Sequence, residues 1–298
     1  MIRYHISADD DGADELKLRT RIEEACPGWM ERAAARTQGF RTAGRYDEAS
    51  NIWTEVKKVY MDIQHNKCAY CERRLAGKEH GTIEHDIEHF RPKNSVAPWP
   101  NAKICMERSL SYDFETGEGF APGYYLLAYS ILNYATACKP CNTPLKSNYF
   151  PIAGERGEQS DDPRSYSDER PFLVYPVGDL DEDPERILTF ECITCIPAGY
   201  EEHARRRGIV TIDFFDLNGR EELWRGRAEK VVATYLALST LDSPGGSDGR
   251  REIARRSLSV LLSARSEHTN CVRAFERLYQ GDPQRAELVA RKAQDYLD

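Results

Sequence analysis

The chain has 298 residues, 40% of them hydrophobic and 30% charged, which suits a globular protein with a sizeable core divided into two compact units. Its formal net charge of −8 speaks against indiscriminate coating of nucleic acid, and no apolar run reaches the ~18 residues of a membrane span. Nine cysteines, an odd number, follow an N-terminus without a basic-then-apolar leader, so a cytoplasmic protein using paired thiols for metal is expected rather than a disulfide framework.

In chain order, residues 13–38 have helical spacing interrupted at Cys26-Pro27-Gly28. Asp47 to Gln64 reads as an amphipathic helix with Ile52, Trp53, Val56, Val59, Tyr60 and Ile63 inward. Core packing is the expected role of Trp53 and Tyr60. Cys68 and Cys71 form a first Cys-x-x-Cys pair, and residues 82–90 alternate as a strand does. Asn94 to Gly123 has no period and reads as a long loop. The aromatic stretch Tyr124 to Tyr134 leads to a second pair, Cys138 and Cys141, and Asn142 to Asn148 opens a short helix. Residues 153–170 are polar enough for a linker, while Phe172 to Pro176 and Arg186 to Ile196 read as strands. Arg220 to Leu241, Arg250 to Gln280 and Pro283 to Leu297 read as helices, with Ser243 to Asp248 as a flexible break.

Two Cys-x-x-Cys pairs can hold one zinc ion tetrahedrally, each giving two sulfurs across a knuckle turn. Between them stands IEHDIEHFRPK, Ile83 to Lys93, with an acid beside a histidine, Glu88-His89, and then the basic Arg91 and Lys93. Hydrolysis of a phosphodiester needs an activated water, a cation on the phosphate or leaving oxygen, and a proton donor. His89 suits the base because imidazole titrates near neutrality. Glu88 and Asn142 offer oxygen donors of the kind hard Mg²⁺ prefers, and Asn133 could orient a loop through backbone hydrogen bonds. Lys146, one helical turn past Asn142, could neutralise phosphate, as could Arg91 and Lys93. An ideal strand points Glu88 and His89 to opposite sides, so a bulge or a strand end is required for both to address one site. Charge is distributed accordingly: His65 to Pro151 nets +1, whereas Ile152 to Phe190 nets −7.

IEHFRPK between two Cys-x-x-Cys pairs, followed by Asn133 and CNTPLKSNYF, resembles the HNH endonucleases. The resemblance implies an α+β, mainly helical fold with a ββα-metal (His-Me finger) nuclease core on a four-cysteine zinc site. An N-terminal helical segment would occupy 1–64, the core 65–151, and a linker, short strands and C-terminal helices 152–298. It implies His89 as general base, Glu88 and Asn142 as ligands of a catalytic Mg²⁺ or Mn²⁺, Asn133 as the residue steadying the loop, and DNA as substrate. The sequence is similar in particular to the HNH proteins of bacterial anti-phage defence loci, found beside an ATPase in Septu-type and some retron systems, which implies an ATPase companion. The motifs span roughly 53–151, and a fainter likeness of the tail reaches about 227. Glu88 replaces the commoner Asp and Asn142 the final His, which leaves the choice of metal open. Glu84-His85 duplicates the acid-histidine pair, but only the second copy precedes Phe-Arg-Pro-Lys, and His85 is expected to be a satisfied polar residue.

The alternatives are a non-catalytic zinc module that binds nucleic acid or a protein, and an HNH-type ribonuclease, although no RNA-binding aromatic signature is present. Cys192 and Cys195 lack a second pair and read as buried strand cysteines; Cys26, Cys105 and Cys271 read as small apolar residues. Arg205-Arg206-Arg207 and the acidic stretch Asp179 to Glu185 read as solvated faces.

Overall fold

Helices dominate the computed structural model, which describes residues 1–6, 14–75 and 85–297. The duplicate acid at Glu84 lies outside the described residues. Two small antiparallel sheets accompany the helices: β1 (His85–His89) pairs with β2 (Tyr134–Cys138), and β3 (Leu188–Glu191) with β4 (Thr194–Pro197). The chain divides into two compact units, one comprising Arg3–Ala69 and Leu75–Glu182, the other Met1–Ile2, Tyr70–Arg74 and Asp183–Asp298.

In the first unit, α1 (Asp14–Ala25) and α2 (Trp29–Ala43) are parted at Cys26-Pro27-Gly28. Pro27 brings no N–H to a helical ladder, and Gly28 takes the left-handed φ of 73° before α2. The expected helix over 47–64 begins only at Trp53, as a 3₁₀ turn (Trp53–Val56) running into α3 (Lys57–Ile63). Ser50 and Asn51, whose short polar side chains compete for backbone hydrogen bonds, precede it. All the expected inward residues are buried except Trp53, which is half-exposed. The long loop after β1 carries one short helix, α4 (Ala102–Arg108), capped by the Asn101 side chain, and is tied across its base by a bridge from Val96 to Phe120. Gly123 closes it with φ 62°, where a Cβ would fall 1.0 Å from the Asn94 carbonyl oxygen. Glycine is therefore required there.

Residues 153–170, polar in composition, include a 3₁₀ segment, Pro163–Glu169, that buries Tyr166 and Glu169. Phe172–Val177 is buried too, but among the described residues isolated bridges at Pro171 and Val177 flank it in place of the expected strand. Pro171 and Pro176 have no N–H to give a ladder. The interior of this unit is aromatic: Trp29, Tyr60, Tyr124, Tyr134, Phe150 and Tyr175 are all buried.

The second unit starts with a short helix, α5 (Pro184–Ile187), continues through the β3–β4 hairpin, and goes on with α6 (Glu202–Phe214), α7 (Glu221–Asp242), α8 (Asp248–Leu262), α9 (Thr269–Gly281) and α10 (Pro283–Gln294). Its core joins Ala228, Val231 and Leu238 of α7, Cys271 and Phe275 of α9, and Ala286, Ala290 and Ala293 of α10 around Ile193. The single helix expected over 250–280 is two, because Thr269 bonds back through its hydroxyl to the carbonyls of Ser263 and Ser266 and His268 adopts φ 54°. Helix α6 had no sequence signal, with a glycine and β-branched residues inside it. Gly208 lets it lie close to α5 and the hairpin, since a Cβ there would be 2.8 Å from both the Ile187 carbonyl oxygen and the Pro197 side chain of β4. Arg205 is exposed on α6 while Arg207 is buried, and Cys195 is buried in β4.

Candidate active site

Three short elements meet around the cysteines. Cys68 and Cys71 lie on the turn after α3, Cys138 ends β2, and Cys141 opens a π-helical turn, Cys141–Lys146. Gln64, at the end of α3 and fully buried, acts as a surrogate strand partner. Its Nε2 donates to the carbonyls of Lys67 and Thr136 at 3.0 and 2.9 Å, and its Oε1 accepts from the Thr136 N–H at 2.7 Å. Ala69 adds an N–H to the Thr136 carbonyl at 3.0 Å, fastening the turn to β2. The Cys138 N–H points at the Cys68 sulfur from 3.4 Å. As a result the four Sγ atoms, all buried, lie within 4.8 Å of one another. Tetrahedral zinc with Zn–S of about 2.3 Å places its sulfurs about 3.8 Å apart, inside this bound, and soft thiolates are its preferred donors. The four cysteines could therefore hold a zinc ion.

The β1–β2 pair is regular, with Glu88 opposite Ala135 and His89 opposite Tyr134. No bulge intervenes; His89 is the last residue of its strand. Asn133 secures the crossing beyond it. Its Oδ1 accepts from the Arg91 N–H at 2.7 Å, and its Nδ2 donates to the carbonyls of Arg91 and Leu127 at 3.0 and 3.2 Å. Replacing Asn133 with alanine would strand these buried main-chain groups, and we expect a loss of about 3 kcal/mol in chemical denaturation. An unchanged midpoint would deny the clamp.

His89 is 7% exposed, its ring set edge-on to Trp53 and Tyr134 with centroids at 4.9 and 5.1 Å. Its Nε2 lies 3.1 Å from the Ala128 carbonyl oxygen, which also receives the Tyr134 hydroxyl at 2.6 Å. A carbonyl only accepts, so Nε2 carries the proton and Nδ1 is left with its lone pair. Burial holds the imidazole well below its ordinary pKa, and the charges of Lys93 and Lys146 push the same way, so the ring is neutral.

Glu88 is 5% exposed and Lys146 wholly buried, with 3.5 Å between Nζ and Oε1. Lys146 also donates to the Tyr149 carbonyl at 3.0 Å. Burial pushes the Glu88 carboxyl up to about 7 against the pull of Lys146 and Lys93, and burial likewise draws Lys146 down against the pull of Glu88. Glu88 and His89 contact different neighbours, yet both feel the same two ammonium groups, Lys93 and Lys146. Lys93, half-buried, rests over the rings of Trp53 and Tyr46 at 4.5 and 5.4 Å. Asn142 is half-buried in the first turn after Cys141, where its carbonyl accepts the Ser147 N–H at 2.8 Å.

Arg91 stands apart from this group. It is 5% exposed, pairs with Glu169 at 3.1 Å, and is ringed by Phe90, Tyr124, Phe150 and Tyr166 at 5.1 to 5.9 Å. A guanidinium enclosed in this way holds 163–169 against the strand end, and its pairing with Glu169 favours that structural role over contact with phosphate. Arg91→Met is expected to lower stability by roughly 3–5 kcal/mol, because the buried Glu169 would lose its counter-charge and keep only the Tyr124 hydroxyl and the Gly157 N–H as donors. Nucleic-acid affinity measured on the folded variant should be unchanged, and a selective loss of affinity would return Arg91 to the site.

Sequence reasoning missed Gln64, Tyr134, the Ala128 carbonyl and Glu169. A glutamine at a helix end and a main-chain oxygen leave no signature in residue types, and Glu169 sits in a stretch whose composition reads as linker.

Among known proteins, no family model and no solved structure matches the chain. It is 26% identical over 163 residues to the Septu protein PtuA of Bacillus mycoides (strain KBAB4), a match covering 55% of this chain but 19% of that protein. To the Septu protein PtuB of the same strain it is 28% identical over 276 residues, covering 91% of this chain and 84% of that protein. Along nine-tenths of its length, the chain is thus similar to a Septu protein.

Proposed function

We propose that this chain is an HNH-type, metal-dependent endonuclease that hydrolyses DNA phosphodiester bonds as a cytoplasmic effector of a Septu-type anti-phage defence system. The observation that carries the reading is the state of His89: a neutral imidazole whose Nε2–H is bound to a carbonyl, so that Nδ1 is the proton acceptor. Nδ1 would take the proton of the attacking water. Glu88 and Asn142, an anionic and a neutral oxygen donor, would hold Mg²⁺ or Mn²⁺. When bound, that ion supplies positive charge to the scissile phosphate and the leaving oxygen. Asn133 keeps the strand end in place, and Lys93, half-exposed above Trp53, offers its ammonium to phosphate. The four cysteines, which could hold zinc, would frame the site, and β1, β2 and the helical turn would supply its ββα arrangement. Similarity to two Septu proteins of one strain supports a companion protein, an ATPase on the resemblance noted above.

A second reading, a nuclease-like scaffold that binds without cutting, is favoured by the lysine already seated on Glu88. Incubating the chain with plasmid, single-stranded DNA and structured RNA, with Mg²⁺ or Mn²⁺ and with His89→Ala beside the wild type, separates them. Metal-dependent cleavage of DNA that vanishes in the variant supports the first. Cleavage of RNA alone moves the substrate, and binding without cleavage, companion included, favours the second.

A further inference from the structure

The Glu88 carboxylate already has a cation. Lys146 Nζ is 3.5 Å from Oε1, and of the two side chains one is wholly buried and the other 7% exposed. The lysine is held there on two sides, by the carboxylate and by the Tyr149 carbonyl at 3.0 Å, with the Phe150 ring 5.8 Å away. Lys93 bears on the same carboxylate as a second cation, and Asp86 as an anion. In the low dielectric of a buried site, like charges sharing one carboxylate repel strongly. One carboxylate with an ammonium beside it is thus a poor donor set for a divalent ion, although the same oxygens without that ammonium would suit one.

Resting on the reading of Glu88 as a metal ligand, we propose that Lys146 and the divalent ion occupy the Glu88 carboxylate in turn, so that the chain on its own excludes the metal until Lys146 swings away. Both fixtures of the lysine are single contacts on its ammonium, so it can leave without unwinding the turn that carries it. A phosphate oxygen of the substrate is the anion that would receive it. Metal uptake at this site would then be coupled to nucleic acid, and the free chain would be kept quiet by its own side chain.

The test needs no cleavage. Free Mn²⁺ is followed by electron paramagnetic resonance as Mn²⁺ alone is titrated into full-length chain, its zinc content checked by elemental analysis. The proteins are wild type, Lys146→Met, and each of these with Glu88→Gln added. Lys146→Met should bind Mn²⁺ at least tenfold more tightly than wild type, and Glu88→Gln should abolish the gain. Lys146→Gln, which keeps a donor for Tyr149 but no charge, should behave as Lys146→Met does, and it serves if the methionine variant fails to fold. Equal or weaker binding by the uncharged variants, with binding still dependent on Glu88, overturns the exchange and leaves the nuclease reading intact. Mn²⁺ binding indifferent to Glu88 in every background overturns the metal site itself.

Discussion

Cys138→Ser is expected to leave the four-cysteine site unable to hold zinc and to cost the strand pair its cooperative fold. The four sulfurs are enclosed within 4.8 Å of one another and buried, so as thiolates they repel one another strongly unless an ion balances their charge. In zinc-finger peptides the apparent binding energy of structural zinc is about 10–16 kcal/mol, whereas whole domains are stable by about 5–15 kcal/mol. Losing a ligand therefore costs an amount comparable to the entire stability of the unit. The damage should reach the candidate site because two of the cysteines end β2 and open the turn bearing Asn142 and Lys146. Elemental analysis should give about one zinc per wild-type chain and almost none for the variant, and near-ultraviolet circular dichroism should lose its aromatic signal. A variant that is free of zinc yet melts at the wild-type temperature would show that the thiols pack without an ion.

How far the sequence led can be judged residue by residue. The cysteine cluster was legible because its spacing is a covalent constraint: a Cys-x-x-Cys turn presents two sulfurs on one side wherever it occurs. The strand over β1 was legible from alternation. Arg91 and Lys93 were not separable, since both are cations on one short turn. What divides them is Glu169, 78 residues further on, which captures Arg91 and leaves Lys93 half-exposed over Trp53. The same holds for Lys146. Its spacing from Asn142 predicts a shared face, but whether the ammonium meets phosphate or Glu88 depends on burial that only the packed turn decides. Helix ends were read well where proline or glycine forces a break, as at Pro27-Gly28, and poorly where hydroxyl-to-carbonyl bonds make it, as between α8 and α9. Tertiary partners, not local propensity, carried the missing information.

His89→Gln should leave zinc content and secondary structure as in the wild type while lowering the rate of phosphodiester cleavage by about 10³-fold, within the range removed with a general base. Glutamine is the informative replacement. Its amide can still fill the gap between Trp53 and Tyr134 and donate to the Ala128 carbonyl, but it offers no atom that takes a proton near neutrality. Alanine removes the base and opens a cavity between the Trp53 and Tyr134 rings, so a loss in that variant alone would confound chemistry with packing. Because Nε2 already serves the carbonyl, the proposed proton-accepting role would fall to Nδ1, and only a residue with a basic atom at that place would restore it. The measurement is a single-turnover cleavage rate at saturating Mn²⁺, paired with nucleic-acid affinity. The expected pattern is a collapsed rate at unchanged affinity. A rate within tenfold of wild type would remove His89 from the chemistry, and a lost affinity at intact rate per bound complex would make it a binding residue instead.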